Sequence, residues 1–129
     1  MPIRPNNLSP PFNVVRASHV EFGVRDLAGS RAFYVDCLGL IVSDEHKGAL
    51  YLRGVEERNH HSIVLTQADA PCAHAIGFKL ASEDDLDRAA FYFARRGLPT
   101  SFPEVPYQGR TLRTVDAVGM PIDFYARMD

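Results

Sequence analysis

Hydrophobic positions along this chain follow two rhythms, and the order of those rhythms repeats. From Val14 to Val24 they alternate, with His19, Glu21 and Gly23 on one side and Ser18, Val20, Phe22 and Val24 on the other. That pattern predicts a strand with two unlike faces. Asp26 then offers a carboxylate to the free amides of a first helical turn. Leu27, Phe33, Tyr34 and Leu38 gather on one side of the predicted helix, which Gly39 stops. Three short apolar runs follow, at 40–42, 49–52 and 62–66, separated by polar stretches at 44–48 and 53–60. They predict a small antiparallel meander.

The pattern then restarts. Residues 73–80 read as a strand, and Ser82 caps a helix whose first turn is Glu83-Asp84-Asp85 and whose last turn holds Arg95-Arg96, charges that suit its dipole. Gly97 ends it, and apolar runs at 99–102, 110–115 and 121–125 complete the second half. Ala32-Phe33-Tyr34 with Gly39-Leu40 recurs, at identical internal spacing, as Ala90-Phe91-Tyr92 with Gly97-Leu98. Together with the matching element order, this predicts an internal duplication. The expected fold is α+β: two tandem βαβββ modules, at 14–67 and 72–127, within a single domain spanning 14–129. Residues 1–13, with four prolines, read as an arm that forms neither a helix nor a central strand.

Length and composition narrow the picture. A chain of 129 residues, 46% hydrophobic and 23% charged, suits one soluble globular domain. A formal net charge of −2 gives no reason to expect nucleic acid or an anionic membrane as a partner. No apolar run is long enough to span a bilayer, and the polar N-terminus lacks the pattern of a signal peptide. Cys37 and Cys72 are far apart and in no metal-finger spacing, so reduced thiols in a cytoplasmic protein are expected. Nucleotide-binding glycine loops and the Gly-x-Ser-x-Gly elbow are absent.

The strand-to-helix stretch carries a further signal in His19, Phe22, Val24, Asp26, Leu27, Ser30, Phe33, Tyr34, Leu38, Gly39 and Leu40. On two βαβββ modules this signature resembles the vicinal oxygen chelate superfamily, which includes glyoxalase I, bleomycin-resistance proteins and extradiol dioxygenases. The stretches 51–67 and 118–129 look most like the N-terminal domain of extradiol dioxygenases of the homoprotocatechuate and catechol 2,3-dioxygenase type. The resemblance implies sheets that curl into an open half-barrel around a cleft. It also implies a divalent metal, Fe(II) or Mn(II), held there by two histidines and a carboxylate, an arrangement that leaves positions open for substrate and dioxygen.

Carried over residue by residue, the implied metal positions are His19 on the first strand, Ala75 on the first strand of the second module, and Asp123 on the last strand. Alanine cannot bind metal. His74, its neighbour, belongs on the opposite face of the strand unless a bulge intervenes. The fourth place used by glyoxalase-like relatives is Val64, again without a donor. His19 has a structural reading too, as a strand histidine hydrogen-bonded to a partner such as Glu21. His60-His61 reads as a solvated loop and His46 as a hairpin residue, while Tyr107, Arg110 and Tyr125 are candidates for a substrate cleft.

Three functions follow from the resemblance. One is a non-catalytic N-terminal domain of an aromatic-compound dioxygenase, whose metal lies in a second catalytic domain and which itself needs no cofactor. Another is a free-standing metalloenzyme, whether dioxygenase or lyase, built on His19, Asp123 and His74. The last is a resistance-type module that binds a small aromatic ligand without turnover. Exposed sheet edges make a homo-oligomer, such as a dimer, the expected assembly.

Overall fold

A computed structural model describes all residues, 1–129. Seven strands form one open mixed sheet: β1 (Val14–Val24), β2 (Ile41–His46), β3 (Ala49–Arg53), β4 (Ile63–Gln67), β5 (Cys72–Leu80), β6 (Thr111–Val115) and β7 (Pro121–Tyr125). Their spatial order is β2-β3-β4-β1-β5-β7-β6. β1 and β5 pair antiparallel at the centre, and each has the last strand of its own half beside it in parallel, β4 next to β1 and β7 next to β5. The two halves are thus related by an approximate two-fold axis through the β1–β5 ladder. The second half lacks one full strand. In place of a counterpart to β2 it has a single bridge, Ser101 to Arg113, because the prolines at 99, 103 and 106 leave no room for a longer ladder.

One face of the sheet packs on helices. Leu80, Leu112 and Phe124 meet Leu86 and Ala89 of helix α2 (Glu83–Arg95), while Leu50, Leu52 and Leu65 meet Leu27, Tyr34 and Val35 from the first half. The first helix departs from the sequence expectation. α1 spans only Leu27–Arg31 and opens into a wider π-helical segment, Ala32–Cys37. The extra residue per turn rotates Phe33 and Leu38 outward, leaving them 52% and 57% exposed, while Tyr34 and Val35 take the core side.

The arm is tied down where it meets the domain. Phe12 packs edge-on against Tyr92, Phe93 and Phe124. Asn13 donates from its backbone and side-chain nitrogens to Oδ1 of Asp85, each at 3.1 Å. Asp85 is buried at the start of α2, where its amide donates to Ser82 Oγ and its carboxylate accepts from Ser82 and from Arg88. The Arg88 guanidinium, aided by Ser82 and Asn13, holds the Asp85 carboxyl down at about 2. Because the folded value is depressed, this stability is present above about pH 4 and fades as pH falls toward 2. Asp85→Asn is therefore expected to cost about 1–3 kcal/mol near neutral pH. In urea unfolding the gap to the wild type should close between about pH 4 and 2. A gap of equal size at both ends of that range contradicts the assignment.

Candidate functional site

The face of the sheet away from the helices carries the chemistry, and strand register places it in two rows. One row runs His19 (β1), Gly77 (β5), Asp123 (β7), Arg113 (β6) and Ser101. The other runs Ala75 (β5), Glu21 (β1), Val64 (β4), Tyr51 (β3) and Asp44 (β2). The two-fold axis exchanges them member by member: His19 with Ala75, Gly77 with Glu21, Asp123 with Val64, and Arg113 with Tyr51. Each position that carries a metal-binding type of side chain therefore faces an inert counterpart in the other half.

Within the first row the side chains converge. His19 is 4% exposed, and its ring lies over Gly77, where any Cβ would fall well inside contact distance of the imidazole. Glycine is required here because the ring crosses the strand toward Asp123. The carboxylate of Asp123, fully buried, accepts two bonds from Arg113, Nε at 2.7 Å and a terminal nitrogen at 2.8 Å. Such a bidentate pair is planar and strong, and it engages both carboxylate oxygens. Burial raises the Glu21 carboxyl, and the charge on Asp123 adds to the effect.

Aromatic and imidazole rings fill the rest of this face. His61 is fully buried, with its ring centroid 5.1 Å from that of His19 and 4.9 Å from that of Tyr51. Tyr125, also fully buried, lies 5.8 Å from His19, and its hydroxyl meets Ser18 Oγ and accepts from Asn59 Nδ2. Ser18 Oγ also lies 3.2 Å from His19 Nδ1. His60 is sandwiched over this layer, stacked on Tyr107 at 3.9 Å, with its Nδ1 2.9 Å from that of His61. Asp44 sits 3.7 Å from the outer nitrogen of His60. The sequence reading of His60-His61 as a solvated loop is corrected: the loop folds inward over the sheet, burying His61 against Tyr51 and His19 and leaving His60 half-buried on Tyr107.

The other candidates are spread apart. Tyr125 lies inside and Tyr107 at the mouth, held at φ 65° with its carbonyl accepting from the amide of Asp129. Arg110 points away, to Asp87 and Glu83 on α2 and over the ring of Phe102. The ladder shifts register between Glu21 and Phe22, so that His74 is an extra residue on β5, and its Nε2 faces Gly23 at the far end of the sheet. No three His, Cys, Asp or Glu side chains come together where one ion could be held. His19 and Asp123 share a row, but Arg113 already engages the carboxylate, so the residues present do not fit the metal centre that the resemblance implies. Sequence reasoning missed Arg113 and His61. Arg113 was findable, since it and Asp123 are equidistant from Val118 at the turn of a β6–β7 hairpin. His61 was not, because nothing local marks a loop histidine as buried.

Comparison with known proteins agrees with this architecture. The family model described as Glyoxalase/Bleomycin resistance protein/Dioxygenase superfamily matches residues 16–125. A metapyrocatechase from Pseudomonas sp. (strain CF600) is 41% identical over 76 residues, covering 58% of this chain and 25% of that protein. One from Geobacillus stearothermophilus is 30% identical over 94 residues, covering 72% of this chain and 28% of its own. Among solved structures, homoprotocatechuate 2,3-dioxygenase from Arthrobacter globiformis superposes with a TM-score of 0.87 at 34% identity, over 97% of this chain and 40% of that one. A variant of the Brevibacterium fuscum enzyme gives 0.87 at 36% identity, over 97% and 36%. The chain thus spans about a quarter of the curated relatives' length and well under half of the structural neighbours'.

Two predictions follow from the packed rings. Gly77→Ala should destabilise the fold by about 1–3 kcal/mol, with much of the loss recovered when His19→Ala is added, read as a double-mutant cycle. Additive losses would show that the ring does not depend on Gly77. The histidines give a pH signature. Burial lowers His19 to about 4, partly offset by Asp123, and burial with the neighbouring histidines lowers His61 to about 3. The unfolded imidazoles take protons below about 6.5 while the folded ones do not, so stability falls as pH drops from about 6.5 toward 4. His61→Gln should remove up to about 1.4 kcal/mol per pH unit from that slope. An unchanged slope places His61 in solvent.

Proposed function

We propose that this chain, which belongs to the Glyoxalase/Bleomycin resistance protein/Dioxygenase superfamily, works as the non-catalytic domain of a catechol-type ring-cleaving dioxygenase. Its role is packing against a catalytic domain of the same superfamily that carries the metal. The observation that carries this reading is the guanidinium of Arg113, which engages both oxygens of Asp123 in the row where the resemblance expects a metal. Ala75 and Val64 occupy the symmetry-related positions and supply no donors. Freeing the carboxylate from its guanidinium would leave a buried charge unpaired, a loss that two ligands to a weakly held ion do not offset.

The partial coverage of the metapyrocatechases and homoprotocatechuate 2,3-dioxygenases supports the same reading. The face of the sheet that would have to open for substrate is filled by His61, Tyr51 and Tyr125, which speaks against a small-molecule-binding module. No helix is long and apolar enough to cross a membrane.

The test uses the purified chain, incubated anaerobically with Fe(II) or Mn(II) and then given catechol or homoprotocatechuate in air. Oxygen uptake should stay at the level of metal and substrate alone. Metal-dependent uptake that His19→Ala abolishes would overturn the proposal and favour a free-standing enzyme.

A further inference from the structure

At the far end of the helix-free face, Cys72 and His74 converge on one spot. Both are exposed, on β5, and Sγ of Cys72 lies 3.7 Å from Nε2 and 4.0 Å from Nδ1 of His74. The register shift between Glu21 and Phe22 makes His74 an extra residue of the ladder, and so brings its ring to the side where Gly23 lies. Gly23 provides the space. A Cβ there would be 2.6 Å from the Cys72 sulfur, 2.8 Å from His74 Nε2 and 2.9 Å from Ala68 Cβ. The absent side chain leaves a cradle into which a thiol and an imidazole both reach from outside, floored by a methyl group. Glu21, one strand period away on the same side, is close enough for its carboxyl to respond to the charge of His74.

We propose that this cradle is a binding site for a thiophilic d10 cation such as Cu(I), held between Cys72 Sγ and His74 Nε2. A thiolate donor selects soft ions such as Cu(I), and imidazole is a donor that copper also accepts. A sulfur and a nitrogen bound to one ion at about 2.3 and 2.0 Å lie about 3.5 Å apart at a tetrahedral angle and about 4.3 Å apart when linear, a span that brackets the observed 3.7 Å. The sulfur sits almost equally far from both ring nitrogens, so binding at Nε2 calls for a turn of the imidazole about its Cβ–Cγ bond, which an exposed side chain is free to make. Binding displaces the thiol proton to solvent and changes no oxidation state. The site is separate from the His19–Asp123 row and independent of the proposed function.

The full reduced chain, titrated with Cd(II) as a redox-silent probe and with Cu(I) against a chromophoric chelator, provides the test. One equivalent should bind, with sulfur-to-cadmium charge-transfer absorption in the ultraviolet. Cys37→Ser and His19→Ala should leave binding unchanged, Cys72→Ser should abolish it, and His74→Ala should weaken it about tenfold or more. Gly23→Ala should weaken it without removing either donor. Circular dichroism should show the Cys72 and His74 variants folded, as both residues are exposed. Binding that survives Cys72→Ser, or that His74→Ala leaves unchanged, overturns the proposal, as does the absence of binding by the wild type.

Discussion

The antiparallel ladder between β1 and β5 is the contact on which the rest of the molecule depends. It is the only place where the two halves share backbone hydrogen bonds between long strands, and it lies at the centre of the seven-stranded order. Its register sets His19 opposite Gly77 and Glu21 opposite Ala75, which determines everything the helix-free face presents. Because side chains alternate along each strand, a slip of one residue between β1 and β5 would turn the second half over relative to the first, sending Asp123 away from His19 and bringing Phe78 and Phe124 into the layer of rings. The irregularities in the ladder matter as much as its regular part. Of the three, one brings His74 round to Gly23, and another lies beside Ser18 and His19, where the buried hydroxyl and imidazole meet Tyr125.

The duplication explains why this face holds charge without holding a metal site. A symmetric ancestor would carry equivalent side chains in both rows, but here His19, Glu21 and Asp123 are each matched by an inert residue, Ala75, Gly77 and Val64. What remains in the richer row is an internal ion pair. The cation against Asp123 is a guanidinium from the next strand, and it satisfies the carboxylate as a metal ion otherwise could. With the carboxylate satisfied, the histidines nearby are free to be neutral, and burial keeps them so. The face becomes a second core, made of rings and one ion pair, set opposite the aliphatic core under the helices.

Much of the fold was legible because it rests on local rules. Alternation marks β1, the Ser82 cap and its acidic turn mark α2, and the repeated Ala-Phe-Tyr with Gly-Leu reveals the two halves. The helix after Asp26 was legible only in its start, since the π-helical widening that turns Phe33 outward changes the period on which the reading relied. The run at 99–102 was legible as apolar but not as a lone bridge, because whether a run becomes a strand depends on a partner edge.

What the chain determined by itself is therefore the order of elements, the family they belong to, and the absence of a donor at Ala75 and Val64, since each of these follows from residue type and spacing. The tertiary structure alone decided that the ring of His19 lies over Gly77, that His61 is buried beside it, and that Cys72 and His74 meet over Gly23. Those contacts depend on strand register, on a bulge and on the path of a loop, and each of these is set by the energy of closing the whole sheet. His19 shows the difference most plainly. Its place on a strand before a capped helix is written locally, but its chemistry is set by burial, by a glycine on β5 and by a carboxylate on β7.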